Sequence, residues 1–163
     1  MQKIVNIVTK YLSWFLMTLM ALIVFDVTWQ VFTRFVMQNS SSWTEEMARF
    51  LLIWIGLLGG SYALHTRMHL GIDILTYKLV GRKKQIVEVI IYTFVALFAL
   101  FIMVIGGFKL VNLTFQLKQI SASMGIKMGY IYTVIPLSGL LMIFYSIAFI
   151  VEALSDNQLT EEN

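Results

Sequence analysis

No cysteine occurs in the chain, so disulfides, thiolate metal sites and a redox-active dithiol are excluded. Histidine is nearly as scarce. The two residues, His65 and His69, stand one helical turn apart in a single segment. A tetrahedral metal needs a third and usually a fourth ligand, and a haem held between two histidines needs them on facing helices. Neither metal nor haem is therefore expected, nor any other cofactor, and the pair reads as interfacial polar residues. Charge is also in short supply. Only 13% of residues are Asp, Glu, Lys or Arg, against about a quarter in a soluble domain. The net charge of +3 gives no argument for nucleic acid, because basic residues gathered at the ends of apolar segments set membrane topology. There is no nucleophile, base and acid set and no phosphate-cradling glycine loop, so an enzyme is not expected. Proline occurs once, at Pro136.

What the chain has in abundance is apolar sequence: 59% hydrophobic residues and a mean hydropathy of +0.81 over 163 residues. That composition describes one small integral membrane unit. The stretch from Ser42 to His69 constrains it most. Ser42 stands three residues ahead of Glu45, the spacing of a capping box in which each side chain satisfies a backbone donor at a helix start. Glu45 and Glu46 lie in the first turn, where the helix dipole favours carboxylates, and Arg49 is one turn beyond Glu45 and able to pair with it. After Arg49 no charge appears until Arg67. The uncharged run and its polar first turns make about 21 residues, enough to cross a hydrocarbon core of about 30 Å.

Three further spans and a surface helix follow from the same reasoning. Lys3 and Lys10 precede an apolar run, the order of a signal peptide. The run nonetheless takes in Asp26 and resumes to Met37 with no small-residue cleavage signature, and so reads as an uncleaved first span, about 11–35. Asp26, Gln30 and Thr33 recur at helical spacing with Arg34 at the edge of the same face. A carboxylate at this depth is costly in lipid, so the stripe is expected to face protein, either for packing or in a proton or ion role. The second span, about 43–64, carries Gly56 and Gly60 as a G-x-x-x-G with Gly59 beside them, a spacing that lets another helix approach closely. Met68, Ile72, Leu75 and Leu79 line one face of a segment rich in Lys and Arg. This predicts a short amphipathic helix over about 68–80, lying in the headgroup region. The third span, about 85–109, contains Gly106 and Gly107 as a place to bend. The fourth, about 128–151, contains Pro136, tolerated in a membrane helix when neighbours satisfy the freed carbonyl. The acidic tail, 152–163, is expected to be polar and frayed. The fold class is thus an all-α membrane protein, with four transmembrane helices plus a short amphipathic interfacial helix between helices 2 and 3. Lys3, Lys10, Arg67, Lys78, Arg82, Lys83 and Lys84 on one side outnumber Arg34, Arg49, Lys109, Lys118 and Lys127 on the other. That bias puts both termini in the cytoplasm, with Trp43 as a headgroup-level anchor facing outward.

The run V-F-T-R-F at 31–35, W-T-E-E-M-A-R-F-L at 43–51, H-L-G-I-D at 69–73 and S-A-S-M-G-I-K-M-G-Y-I-Y-T-V-I-P-L-S-G at 121–139 resembles the small membrane subunit of tripartite ATP-independent periplasmic (TRAP) transporters. The likeness covers nearly the whole chain. Its most specific parts are Arg34, the W-x-E-E-x-A-R block and the G-Y-x-Y-x-x-x-P pattern, while Lys127 departs from the family's usual uncharged residue. The resemblance implies a bacterial inner-membrane scaffold that pairs with a larger multi-helix transport subunit, while a periplasmic solute-binding protein delivers the solute. It further implies sodium-driven uptake of an organic acid, sialic acid before C4-dicarboxylate, with solute and sodium sites outside this chain. On this reading Asp26, Arg34, Trp43, Glu45, Glu46, Arg49, Gly56, Gly60 and Pro136 are expected to meet the large subunit or the binding protein. The plainer alternative is that Glu45, Glu46 and Arg49 only cap and snorkel. Two rival classes stay open: a stand-alone proton-coupled exporter working through Asp26, and a membrane anchor for a redox enzyme.

Overall fold

The computed structural model describes residues 2–37, 42–66 and 82–161, the side chains of 82–84 and 154–161 excepted. Its helices are α1 (Gln2–Phe35), α2 (Ser42–His65), α3 (Arg82–Phe98), a π-helical segment (Ala99–Gly106), α4 (Gly107–Gln116), α5 (Met128–Tyr132) and α6 (Val134–Glu161). Four helical stretches are long and apolar enough to cross a membrane: Gln2–Phe35, Ser42–His65, Gln85–Gln116 and Met128–Ala153. The all-α, four-span expectation therefore holds. The interfacial helix expected at 68–80 lies outside the described residues, as does His69.

Element limits differ from the expected ones for local reasons. The first helix starts at Gln2 rather than near residue 11, because nothing in the preceding turns breaks a helix and Val5 extends the buried stripe of Leu12, Leu19, Ile23, Asp26 and Thr33. Ser42 is itself the first helical residue of α2. That placement is one position too late for the capping box, and Glu45 turns to Arg49 instead. α6 meets no proline or glycine after Gly139 and runs on through the acidic segment to Glu161. Pro136 does not kink a continuous span. The fourth span breaks at Thr133, and Pro136 falls in the first turn of α6, where its missing N–H has no intrahelical partner to lose. The threonine hydroxyl at the break donates to the Tyr130 carbonyl at 2.6 Å.

The spans stand in a row, in the order first, second, fourth, third. α1 packs on α2, α2 on α6, and α6 on α3 and the π-helical segment, while α1 touches α6 only lightly. Among the described residues neither α1 nor α2 makes more than marginal contact with the third span. The fourth span is the interior element, with 39% of its apolar window buried against 17–22% in the others.

Glycines set the closest approach within the row. A Cβ at Gly139 would lie 2.8 Å from Met103 Cβ and 3.3 Å from the Ala99 carbonyl, and one at Gly107 would lie 2.9 Å from Pro136 Cδ. The buried residues Ala99, Met103 and Gly107 follow one another every four positions along the third span. The wide π-helical turns end at Gly106, where a bend was expected, and deliver Gly107 to Pro136. Polar groups tie the same interior: Ser61 Oγ donates to the Ser138 carbonyl at 3.1 Å, and Thr9 Oγ1 lies 3.1 Å from the hydroxyl of the fully buried Tyr145. His65, the last residue of α2, is half-buried against this interior. Its ring stacks on Tyr145 with centroids 4.9 Å apart, and Phe149 stacks on Tyr92 at 4.9 Å.

Replacing Gly139 by Val forces two branched carbons against Met103 and Ala99, and should lower stability by roughly 1–3 kcal/mol. Gly56→Val, where nothing lies within 4 Å of the added carbon, should stay within about 0.5 kcal/mol. Thermal unfolding of the detergent-solubilised chain compares the two, and equal losses would show that the row is not held by glycine contact.

Candidate functional site

The second, third and fourth spans meet at a hairpin covering residues 117–128. α4 ends in a Schellman motif: Lys118 takes a left-handed φ of 49°, its N–H donates to the Phe115 carbonyl at 3.1 Å, and the Gln119 N–H reaches the Thr114 carbonyl at 3.2 Å. The chain then turns back. Ile120 pairs antiparallel with Lys127, Ser121 N–H donates to the Ile126 carbonyl at 2.8 Å, and Met128 N–H donates to the Gln119 carbonyl at 2.9 Å. Gly125 supplies the reversal at a φ of 66°, a conformation that a side chain resists.

Glu46 reaches into this hairpin from the first turns of α2. Its carboxylate accepts from the Ser121 hydroxyl and from three consecutive backbone N–H groups, those of Ala122 at 3.1 Å, Ser123 at 3.0 Å and Met124 at 3.2 Å. Successive amides converging on one point form an anion-binding nest. An ionised carboxylate, which only accepts, is the side chain that fits it. The clasp joins α2 to the hairpin across a gap that no direct packing of the second span on the third closes.

The other expected partner-facing residues divide between the surface and the interior. Trp43 is 46% exposed, and Arg34 is exposed with its guanidinium 6.0 Å from the Phe35 ring centre. Glu45 and Arg49 pair at 3.3 Å on the open surface, an arrangement that contributes about 0.3–0.5 kcal/mol. Asp26 is only 4% exposed and Thr33 5%, on the side of α1 that packs against α2. Asp26 Oδ2 has no hydrogen-bond partner among the described residues. Gly56 and Gly59 open onto empty space, whereas Gly60 lies within ordinary contact distance of Met142. Pro136 is turned inward against Gly107. The structure thus gives Glu46 and Pro136 intramolecular contacts and leaves Arg34, Trp43, Glu45, Arg49 and Gly56 on the surface.

Sequence reasoning did not find Gly107, Gly129 and Gly139 as contact points, nor the Ser61–Ser138 bond. The four-residue recurrence of Ala99, Met103 and Gly107 was the available signal for the first. Chemically the hairpin holds and presents, since all of the hydroxyl and amide groups of the clasp serve as donors to one carboxylate. Glu46→Gln should speed hydrogen exchange at the amides of Ala122, Ser123 and Met124 about tenfold or more, while Arg49→Ala leaves them unchanged. Mass spectrometry of exchanged protein reads both, and equal protection in Glu46→Gln would remove the clasp.

The family of tripartite ATP-independent periplasmic transporters, DctQ component, matches residues 20–156. The sialic acid TRAP transporter small permease protein SiaQ of Vibrio cholerae is 26% identical over 146 residues, which cover 88% of this chain and 80% of that protein. The C4-dicarboxylate TRAP transporter small permease protein DctQ of Rhodobacter capsulatus is 26% identical over 102 residues, 63% of this chain and 44% of that protein. In the sialic acid TRAP transporter permease protein SiaT of Haemophilus influenzae, a 27% identical match over 71% of this chain takes up 18% of that protein's length. The matched stretch runs from within α1 almost to the end of α6, through all four spans and the clasped hairpin. This multi-pass membrane chain therefore belongs to the DctQ component family of TRAP transporters, and its work is that of a small permease subunit and not of an enzyme.

Proposed function

We propose that this subunit acts as a fixed scaffold in a bacterial inner membrane, holding a large multi-helix transport subunit and helping to receive a periplasmic solute-binding protein. The observation that carries this reading is the open row of spans. The row exposes large apolar side chains on its outer spans, among them Trp14, Phe15, Phe94, Phe98, Phe101 and Phe108. Gly56 and Gly59 add a stretch of bare helix backbone to that surface, suited to close approach by a partner helix. The length of SiaT, of which the match is 18%, supports a larger permease partner, covalently joined in that relative. Arg34, Trp43, Glu45, Arg49, Gly56 and Gly60 are the residues we assign to partner contact, with lipid covering the remainder of the row.

Orientation follows from the Lys and Arg bias, with both termini on the cytoplasmic side. The solute is an organic acid taken up with sodium. Sialic acid is favoured by the names of the V. cholerae and H. influenzae relatives, and a C4-dicarboxylate by that of the R. capsulatus relative. One observation speaks for a stand-alone exporter: the unpartnered oxygen of Asp26. Its burial on the first span, which packs on the second, favours a packing role.

Gly56→Leu leaves the chain's own packing intact and should reduce copurification of a tagged large subunit about tenfold, with uptake falling in parallel. Asp26→Asn should keep both. In vesicles, solute should move only when the large subunit and the binding protein are also present. Solute or proton movement by this chain alone, abolished by Asp26→Asn, would instead establish the exporter.

A further inference from the structure

Between the π-helical segment and the break at Thr133 lies a stretch that packs chiefly on itself: α4, the hairpin and α5. A Cβ at Gly129 would meet the Phe115 ring at 2.6 Å, and Phe115 stands edge to face with Tyr130, their centroids 5.2 Å apart. The bonds from Ser121 N–H to the Ile126 carbonyl and from Met128 N–H to the Gln119 carbonyl close the unit at its tip. Towards the remainder of the chain its packing is thin. α4 and α5 each touch α6 only lightly, and Phe108, Leu113, Leu117 and Tyr130 are exposed. Glu46 ties this unit to α2 through the Ser121 hydroxyl and three hairpin amides.

Both connections of the unit are weak points of the backbone. On one side the wide turns of the π-helical segment change to α-helical ones at Gly106 and Gly107, adjacent residues with no side chain to hold a torsion. On the other side the span breaks at Thr133. The bond that starts α6, from Leu137 N–H to the Thr133 carbonyl, is 3.3 Å long, and Pro136 has no N–H to add another. The two weak points lie side by side, since a Cβ on Gly107 would be 2.9 Å from Pro136 Cδ and 3.0 Å from Ile135 Cγ2. Hinges at one level share an axis, so the unit between them can turn without losing its internal bonds.

We propose that residues 107–132 form an outer unit hinged at 106–107 and 133–136, and that Glu46 is the latch that holds this unit against α2. The inference stands on the chain's own packing and not on the scaffold reading, whose fixed part it narrows to the first two spans with α3 and α6. Four donors converge on a single carboxylate, so the bonds of the latch form and part together. That gives two discrete arrangements in place of a gradual loosening. A glutamine at the same position offers one acceptor oxygen and sets its own N–H groups against the hairpin donors, which opens the latch while keeping the side chain's size.

Because the chain contains no cysteine, pairs of introduced cysteines carry spin labels without background. The full chain in nanodiscs is labelled as Leu52→Cys with Gln116→Cys across the latch, Gln116→Cys with Ile126→Cys inside the outer unit, and Leu52→Cys with Ile147→Cys outside it, all at exposed positions. Pulsed electron resonance reads the distances. Without further change each pair should give one narrow distribution. Glu46→Gln should add a longer component to the pair across the latch, about tenfold or more above its level with Glu46 in place, and leave the other two pairs as they were. Gly106→Ala, whose Cβ would lie at an ordinary 3.8 Å from the Phe101 carbonyl oxygen, stiffens the hinge. Combined with Glu46→Gln it should lower the longer component about two- to fivefold. A single narrow distribution across the latch in Glu46→Gln, at a time when the amides of Ala122, Ser123 and Met124 exchange faster, would overturn the latch. Broadening of the pair inside the outer unit would mean that the hairpin unfolds and does not swing, and would overturn the hinged unit. A longer component indifferent to Gly106→Ala would do the same.

Discussion

Helices in a bilayer gain nothing by hiding apolar surface from a solvent that is itself apolar, so close backbone approach and buried polar bonds must hold them together. The whole row depends on this constraint. Its interior element, the fourth span, is the one that carries the means: Gly139 and Pro136 meet the third span at distances a side chain would forbid, and the Ser138 carbonyl receives the Ser61 hydroxyl of the second. Tyr145 adds a link to Thr9 of the first span and a stack with His65 of the second. Because the fourth span joins the second to the third, and the first packs on the second, the first and third need not touch, and a row results instead of a closed bundle.

Among the described residues, the open row leaves the second and third spans without direct packing on each other. The clasp answers that weakness. Glu46 lies in the first turns of α2, and the donors its carboxylate accepts from lie in a hairpin that belongs to the third and fourth spans. One carboxylate therefore joins the two spans that packing leaves apart, and it does so where water permits a charge. The same group inside the core would have been costly. At the opposite end, rings of His65, Tyr145, Phe149 and Tyr92 give a stacked column where no charge is required.

Much of this architecture was readable from residue order. Four apolar runs bounded by charge specify four helices, because a backbone in lipid has few other ways to satisfy itself. The pairing of Glu45 with Arg49 was visible from its spacing of one turn. The order of spans in the row was not, since hydropathy is blind to which apolar face meets which. Glu46 shows the limit sharply: beside Glu45 in the sequence it is an equivalent acid, and only the backbone turn at 121–125, set by Lys118 and Gly125 in left-handed conformations, makes it a ligand for amides. The glycines repeat the lesson. The G-x-x-x-G of Gly56 and Gly60 obeys the familiar spacing yet is mostly open, while Gly107 and Gly139, which belong to no such motif, carry the packing.

That contrast bears on how a scaffold should be built. A helix surface satisfied inside its own chain is unavailable to a partner, and a surface left bare in lipid gains from a partner only if the partner fits more closely than acyl chains do. Gly107, Gly129 and Gly139 are of the first kind. Each would place a Cβ within 3.0 Å of a neighbour, so their work is complete in the isolated subunit. Gly56 and Gly59 are of the second kind, on a helix whose opposite side is fixed to the fourth span through Ser61. On the scaffold reading proposed above, a helix anchored behind and bare in front serves as a stationary wall. A subunit of this form can stay still while another one moves against it, and the movement then needs no rearrangement of the contacts that hold the row together.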